Sequence, residues 1–458
     1  MSWRGAIITM CCAVLVAAGA AVAVGSTFGL PWQVTESSAG PLAVTPDTPA
    51  PAVPAAGGEV LTASAGGSGA GGALSDALSG PVGAAGLGDG VGVSVVDPAT
   101  GETVYESGSD VARTPASTMK ILTGAAALHV LGPQHTFTTR VVTGRAGLSP
   151  GTARITLVGG GDPTLTTSDS SGGTSLAELA ERTAAALDEA GVDAVELAHD
   201  SSLFTGPAVD PDWRPSYVAS DIVSPVTALG VDVAETRPDD PPAAAAASFA
   251  DLLDEHGVDV ATMIGETDAG DDASEVAAVR SAPLAGIVEE VLTTSDNDGA
   301  EVLARHVAVG SGLPGTAADA ETAVTGALDE LGIDTTAADV RDGSGLARGS
   351  AVPADAVAAA LALATDPAHP ELRPVVTGLP VAGFTGTLAD RFDESAGAGL
   401  VRAKTGTLTG VSALAGIATT AGGATFVFAV LADEVSSTLA ARAALDDVAA
   451  AIAACACG

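Results

Sequence analysis

Only two of the eighteen basic side chains in this 458-residue sequence are lysine, and each stands in a short motif suited to nucleophilic catalysis. Lys120 closes Ser117-Thr118-Met119-Lys120, and Lys404 opens Lys404-Thr405-Gly406. An ammonium sheds its proton when it is desolvated or set beside another cation, which a guanidinium does not do. Ser-x-x-Lys at the start of a helix puts both side chains on one face, one turn apart. A neutral amine there can take the proton of the hydroxyl and turn it into a nucleophile. Ser295-Asp296-Asn297 follows a helical stretch and by itself reads as an ordinary cap or turn. Lys404-Thr405-Gly406 falls in a predicted strand, where a glycine lets a ligand backbone come close.

The elements that must hold these residues show in the hydrophobic pattern. A strand hairpin is expected over Val91–Val96 and Glu102–Tyr105, with order beginning near Val91. Helical spacing follows from Met119 to Leu131 and stops at Gly132-Pro133. Short strand-like runs at 136–142, 154–158, 194–197 and 276–279 alternate with helices over Leu176–Ala190 and Ala243–His256. From Leu284 the pattern turns to long helical stretches, 284–309 and 316–331. Strands return at 399–405, 411–419 and 425–431, and a last helix spans Ser437–Ala453. The result is an α/β body, residues 83–136 and 282–458, split by a mixed insertion at 137–281.

Composition sets the context. A net charge of −38 and a pI near 4.1 disfavour nucleic acid and anionic lipid as direct partners, because both repel an acidic surface. Apolar residues reach 47% but aromatics only 3%, so the cores must be built from small aliphatic side chains. Ala6 to Val24 is uncharged and mostly apolar after Arg4. Residues 1–24 read equally as a signal peptide, with a small-residue site at Ala21-Val22-Ala23, or as a retained membrane anchor. Either reading exports the bulk of the chain. Residues 25–82 are rich in Pro, Ala, Gly and Ser and read as a linker. Cys11 and Cys12 lie in the apolar segment, and Cys455 and Cys457 near the end, so a body without crosslinks or thiolate metal ligands is expected.

Taken in order, the three motifs resemble the signature of penicillin-binding proteins and class A β-lactamases. Further segments narrow this: Thr114-Pro115-Ala116 before Ser117, Gly161-Asp162-Pro163-Thr164-Leu165, Asp200-Ser201-Ser202-Leu203-Phe204 with Trp213, and Asp342-Gly343-Ser344-Gly345-Leu346-Ala347-Arg348. With Gly386-Thr387-Leu388 and the run Ala403–Val411, they resemble the D-alanyl-D-alanine carboxypeptidase/endopeptidase family, peptidase family S13 or class C penicillin-binding proteins. The likeness runs from about residue 88 to 433. The separation of 175 positions from Lys120 to Ser295 suits that family's inserted domain and is too long for a β-lactamase. The family's larger members carry a second insertion for which this chain is too short, and Tyr217 falls where some members place an acidic residue.

The resemblance implies a DD-peptidase-like transpeptidase fold, an antiparallel sheet flanked by helices with a mixed α+β domain inserted. It implies a serine peptidase that cleaves D-Ala-D-Ala, or D-Ala–diaminopimelate crosslinks, in peptidoglycan stem peptides. Ser117 would attack, with Lys120 as general base, and the N–H groups of Ser117 and Thr407 would form the oxyanion hole. Lys404 would keep Lys120 neutral and draw in the substrate's terminal carboxylate, which Thr405 binds beside Gly406. Ser295 would pass a proton to the leaving amine, and Asn297 would hold a substrate amide. Arg348, Leu408 and Thr409 would line a side-chain pocket. β-Lactams would acylate the same serine; no cofactor or metal is required, and membrane contact is confined to the N-terminal segment. A β-lactamase or esterase of the same fold and a non-catalytic β-lactam sensor are the alternatives. A Ser-His-Asp hydrolase is disfavoured, since no Gly-x-Ser-x-Gly occurs.

Overall fold

The computed structural model describes residues 70–168, 174–231 and 237–457. The apolar run at 6–24 and the linker up to residue 69 lie outside the described residues. Among the described residues no helix is long and apolar enough to cross a membrane.

In chain order the elements are α1 (Ala70–Leu78), β1 (Gly90–Asp97), β2 (Glu102–Ser107), α2 (Met119–Leu131), β3 (Thr138–Thr143) and β4 (Thr152–Val158). Next come α3 (Leu176–Glu189), β5 (Ala194–Asp200), the single turn α4 (Ser216–Ala219), α5 (Pro241–Glu255), β6 (Asp259–Glu266) and β7 (Ser274–Arg280). The chain continues through α6 (Leu284–Thr294), α7 (Asn297–Gly310), α8 (Ala317–Glu330), α9 (Ala354–Thr365) and the short α10 (Arg373–Thr377). It closes with β8 (Val401–Leu408), β9 (Val411–Thr419), β10 (Thr425–Asp433) and α11 (Thr438–Ala454).

The first sheet has the order β2-β1-β10-β9-β8 and is antiparallel throughout, so strands from the two ends of the chain meet at β1 and β10. β10 shows why it sits centrally. Val427, Ala429 and Leu431 face one core while Phe426, Phe428, Val430 and Ala432 face another, so the strand is apolar on both sides. The first core holds α2 and α6 to α9; the second holds α1 and α11. Within α2, ten consecutive residues from Met119 to Leu128 are buried. A helix apolar all round belongs in an interior, and this one carries Lys120 in with it.

Strands β3 to β7 form a second sheet, order β6-β5-β4-β3-β7, parallel at β4-β5-β6 and antiparallel at β3-β4 and β3-β7. It is keyed to α7 by His306, whose ring stacks on Phe137 at 4.1 Å and whose Nε2 donates to the Gly161 carbonyl at 2.8 Å. Burial pushes this imidazole down to about 4, so it is neutral and the Nε2–H tautomer is fixed by its acceptor.

Several expectations change. Order begins before Val91: α1 forms in the expected linker because Leu74 and Leu78, one turn apart, bury completely against the second core. β6 went unread because its side chains are mostly exposed or half-buried, leaving no apolar run. The stretch 284–309 is two helices, not one. Cys455 and Cys457 are disulfide-bonded, so the body does contain a crosslink. It spans one intervening residue and constrains only the chain's end.

Candidate active site

Ser117 occupies a single 3-10 turn, Ala116–Thr118, that runs directly into α2. Thr118 donates to the Pro115 carbonyl from both its N–H (3.3 Å) and its hydroxyl (2.7 Å), and Ala116 is held at φ 47°, in the left-handed region. Two glycines make room for this turn. A Cβ on Gly345, itself at φ 82°, would lie 1.9 Å from the Ala116 oxygen, and one on Gly406 would lie 2.7 Å from the Pro115 oxygen. The backbone that comes close to Gly406 is thus the serine's own turn. Gly345→Ala therefore loses about 3 kcal/mol or more of stability and most of its acylation rate. Thermal melting and penicillin acylation check this; wild-type values in both would contradict the contact.

Lys120 is fully buried, and its Nζ has three neighbours: Ser117 Oγ at 3.2 Å, Asn297 Oδ1 at 2.8 Å and the Ser344 carbonyl at 2.8 Å. Asn297 Nδ2 donates to the Ile222 carbonyl at 2.8 Å, which fixes the oxygen end of the amide toward Lys120. Two of the three neighbours can only accept. As an ammonium Lys120 donates to all three; once it has lost a proton, its two remaining hydrogens suit Asn297 and Ser344 and its lone pair is left for Ser117, the one neighbour with a proton to donate.

The Ser344 carbonyl is in turn positioned by Glu301, a residue with no recognisable signal in the sequence. Glu301 lies one turn after Asn297 on the same face of α7, is buried, and accepts from the N–H groups of Ser344 (2.7 Å) and Gly343 (3.3 Å). Asp342 anchors the same turn through the N–H groups of Gly345 (2.9 Å) and Ala347 (2.7 Å) and the Trp213 indole (3.0 Å). Burial, with Asp342 nearby, pushes the Glu301 carboxyl up to about 8.

The second motif is a helix junction. α6 ends on Ser295 in the left-handed conformation, φ 63°, and Asp296 caps α7 by accepting from the N–H groups of Asp298 (3.0 Å) and Gly299 (2.9 Å). This break turns Ser295 and Asn297 toward different lysines. Lys404, also fully buried, donates to Ser295 Oγ at 2.8 Å and to the Thr405 carbonyl at 2.9 Å. Thr407 follows on β8, paired with Ser412. Arg348 hydrogen-bonds the Thr409 carbonyl, and Leu408 packs on a cluster containing Trp213, Tyr217 and Leu346. Ser117, Lys120 and Asn297 meet through Lys120 Nζ, Ser295 meets Lys404 on β8, and Arg348 meets Thr409 just past the end of that strand.

Burial pulls Lys120 down to about 8, opposed by Asp342, Glu301, Asp296 and Asp298. Lys404 is held well below the ordinary lysine value by burial and then by Lys120, with no carboxylate opposing. Burial thus lowers both amines, and carboxylates oppose that fall at Lys120 but not at Lys404.

A family model for the D-Ala-D-Ala carboxypeptidase 3 (S13) family matches residues 81–238 and 233–454. A carboxypeptidase of Mycobacterium tuberculosis is 35% identical over 359 residues, covering 74% of this chain and 75% of the relative. Another, from Mycolicibacterium smegmatis, is 35% identical over 385 residues, covering 80% of each. The fold is similar to that of penicillin binding protein 4 from Haemophilus influenzae, with a TM-score of 0.69, 21% identity, and coverage of 82% of this chain and 97% of that one.

Proposed function

This chain belongs to the D-Ala-D-Ala carboxypeptidase 3 (S13) family, and on that premise we propose that it cleaves peptidoglycan stem peptides through an acyl-enzyme on Ser117. The observation that carries this is the hydrogen-bond arithmetic at Lys120, where the serine is the only neighbour able to give the neutral amine a proton.

The carbonyl of the penultimate D-alanine is attacked by Ser117 Oγ as its proton passes to Lys120 Nζ. The N–H groups of Ser117 and Thr407 stabilise the oxyanion. When the peptide bond breaks, Ser295 hands a proton to the leaving amine and is recharged from the lysines. Water then attacks the ester as its proton passes to Lys120, and Lys120 returns that proton to Ser117 Oγ when the ester bond breaks. Asn297 has a second task beyond holding a substrate amide, since its oxygen orients the base. Arg348, Leu408 and Thr409 take the side chain before the scissile bond. Residues 137–281 form the inserted domain, which supplies the Ile222 carbonyl behind Asn297. A penicillin opens on the same serine and leaves slowly. The protein works outside the cytoplasm, where this substrate lies.

A pentapeptide ending in D-Ala-D-Ala is expected to release many equivalents of D-alanine; one equivalent or fewer overturns the peptidase reading in favour of a sensor. Digestion of crosslinked peptidoglycan then divides the activities. Loss of dimeric muropeptides marks endopeptidase action, and loss of terminal D-alanine alone marks carboxypeptidase action.

A further inference from the structure

Asn297 turns its oxygen to Lys120 because the Ile222 carbonyl takes its amide hydrogen, so the direction of that carbonyl bears on the base. Ile222 stands in a turn of the inserted domain that follows α4. Its side chain is exposed, so the carbonyl is held through the backbone, while Val223 beside it is fully buried against the cluster of Trp213 and Tyr217. Burial of Val223 fixes the depth of the turn but not the rotation of the peptide plane before it. Asp221 is in the left-handed region at φ 53°, an uncommon conformation that the surrounding contacts must maintain.

Those contacts lie on both sides of the Ile222–Val223 peptide. On one side Arg237 Nη1 donates to the Asp221 carbonyl, the Arg237 N–H to Asp221 Oδ1 at 3.3 Å, and the Ile222 N–H to the Tyr217 carbonyl at 3.0 Å. On the other, the Ser224 N–H donates to Asp298 Oδ1 at 2.6 Å. One guanidinium joins the two sides, since Arg237 Nε also donates to Asp298 Oδ2 at 2.7 Å. Asp298 follows Asn297 in the first turn of α7, so the turn is fastened beside the side chain it orients. The Arg237 and Asp298 side chains are 34% and 30% exposed, and an ion pair so close to water contributes little by attraction alone. Its value lies in geometry, because a planar fork spans a carbonyl and a carboxylate at a fixed spacing.

We propose that Arg237 is a positioning residue, clamping the 221–224 turn to Asp298 so that the Ile222 carbonyl holds the Asn297 oxygen toward Lys120. This rests on the peptidase reading above and adds to it a residue that acts on the base through two others. Without the clamp the Asn297 amide is free to turn over. An inverted amide sets Nδ2 against Lys120 Nζ, a donor facing a donor, and the base loses the acceptor that orients it.

The test is the rate constant for acylation by labelled penicillin in wild type, Arg237→Gln, Arg237→Lys, Asn297→Ala and the double variant Arg237→Gln with Asn297→Ala. Arg237→Gln should acylate about fivefold to twentyfold more slowly, with a melting temperature within about 4 °C of wild type. Arg237→Lys should stay within about threefold of wild type, since three ammonium hydrogens serve the same two acceptors. In the Asn297→Ala background the loss from Arg237→Gln should shrink below about twofold, because the clamp acts through an amide that is no longer there. A merely structural tie gives equal losses in both backgrounds. That result, an unimpaired Arg237→Gln, or an Arg237→Lys as slow as Arg237→Gln overturns the assignment. A wild type that penicillin does not acylate overturns the peptidase reading on which it rests.

Discussion

Incubated with labelled penicillin, the native chain gains the mass of one inhibitor molecule, and Ser117→Ala gains none. The expectation follows from what surrounds the hydroxyl. Ser117 is half-buried in an otherwise enclosed cluster, with two fully buried lysines near it and an amine 3.2 Å from its oxygen. Removing the oxygen leaves a base with nothing to deprotonate. Residual reaction through binding alone does not yield a covalent product, so the loss is complete within detection, on the order of 10⁴-fold or more. The substitution removes one partly exposed atom and spares the 3-10 turn, which is held by Thr118 and the two glycines rather than by Ser117 Oγ. Melting should therefore stay within about 1 kcal/mol of wild type, which separates lost chemistry from lost fold. A native protein without a mass shift, or Ser117→Ala with an undiminished one, refutes the assignment.

The parts of this site that could be read from the sequence are those where chemistry demands a residue type. An amine can act as a base beside Ser117 and a guanidinium cannot, so Lys120 and Lys404 stood out against a background of arginine. Glu301 did not, since a lone glutamate in a helical stretch has the same spacing whether it faces water or two backbone N–H groups. The break at Ser295 was also hidden. Apolar residues continue at helical spacing on both sides of it, and only the left-handed serine and the Asp296 cap, both tertiary in their consequence, divide α6 from α7. Gly345 looked like one glycine among 57, and its role rests on an approach to Ala116 across 229 positions of sequence. The first sheet was legible because β9 and β10 are apolar and long. The exposed β6 and the small α1 were not, since one lacks an apolar run and the other is too short to show a period.

The lysines give the sharpest further test. Lys120→Arg should abolish acylation, at least about 10³-fold, although it keeps the charge, because a guanidinium has no lone pair to turn toward Ser117. Lys404→Arg has a different consequence. In the native protein Lys120 sits at about 8, so its neutral fraction, and with it the acylation rate, rises as pH climbs from about 6 to 9. Lys404 is held down by burial and by Lys120, and the repulsion is mutual, so each proton on one amine opposes a proton on the other. An arginine at 404 cannot relieve that repulsion by losing its proton. It holds the positive charge in place at every pH and drives Lys120 lower, which moves the acidic limb of the acylation profile to lower pH. The plateau should fall about tenfold to a hundredfold, since a longer side chain must fit a fully enclosed space. The two substitutions thus separate a base from a charge: one removes activity at all pH values, and the other lowers activity while extending it toward acid. A limb that stays in place or moves upward in Lys404→Arg would show that the amines are not coupled. In that case the acids around Lys120, rather than its neighbouring amine, set the protonation state of the base.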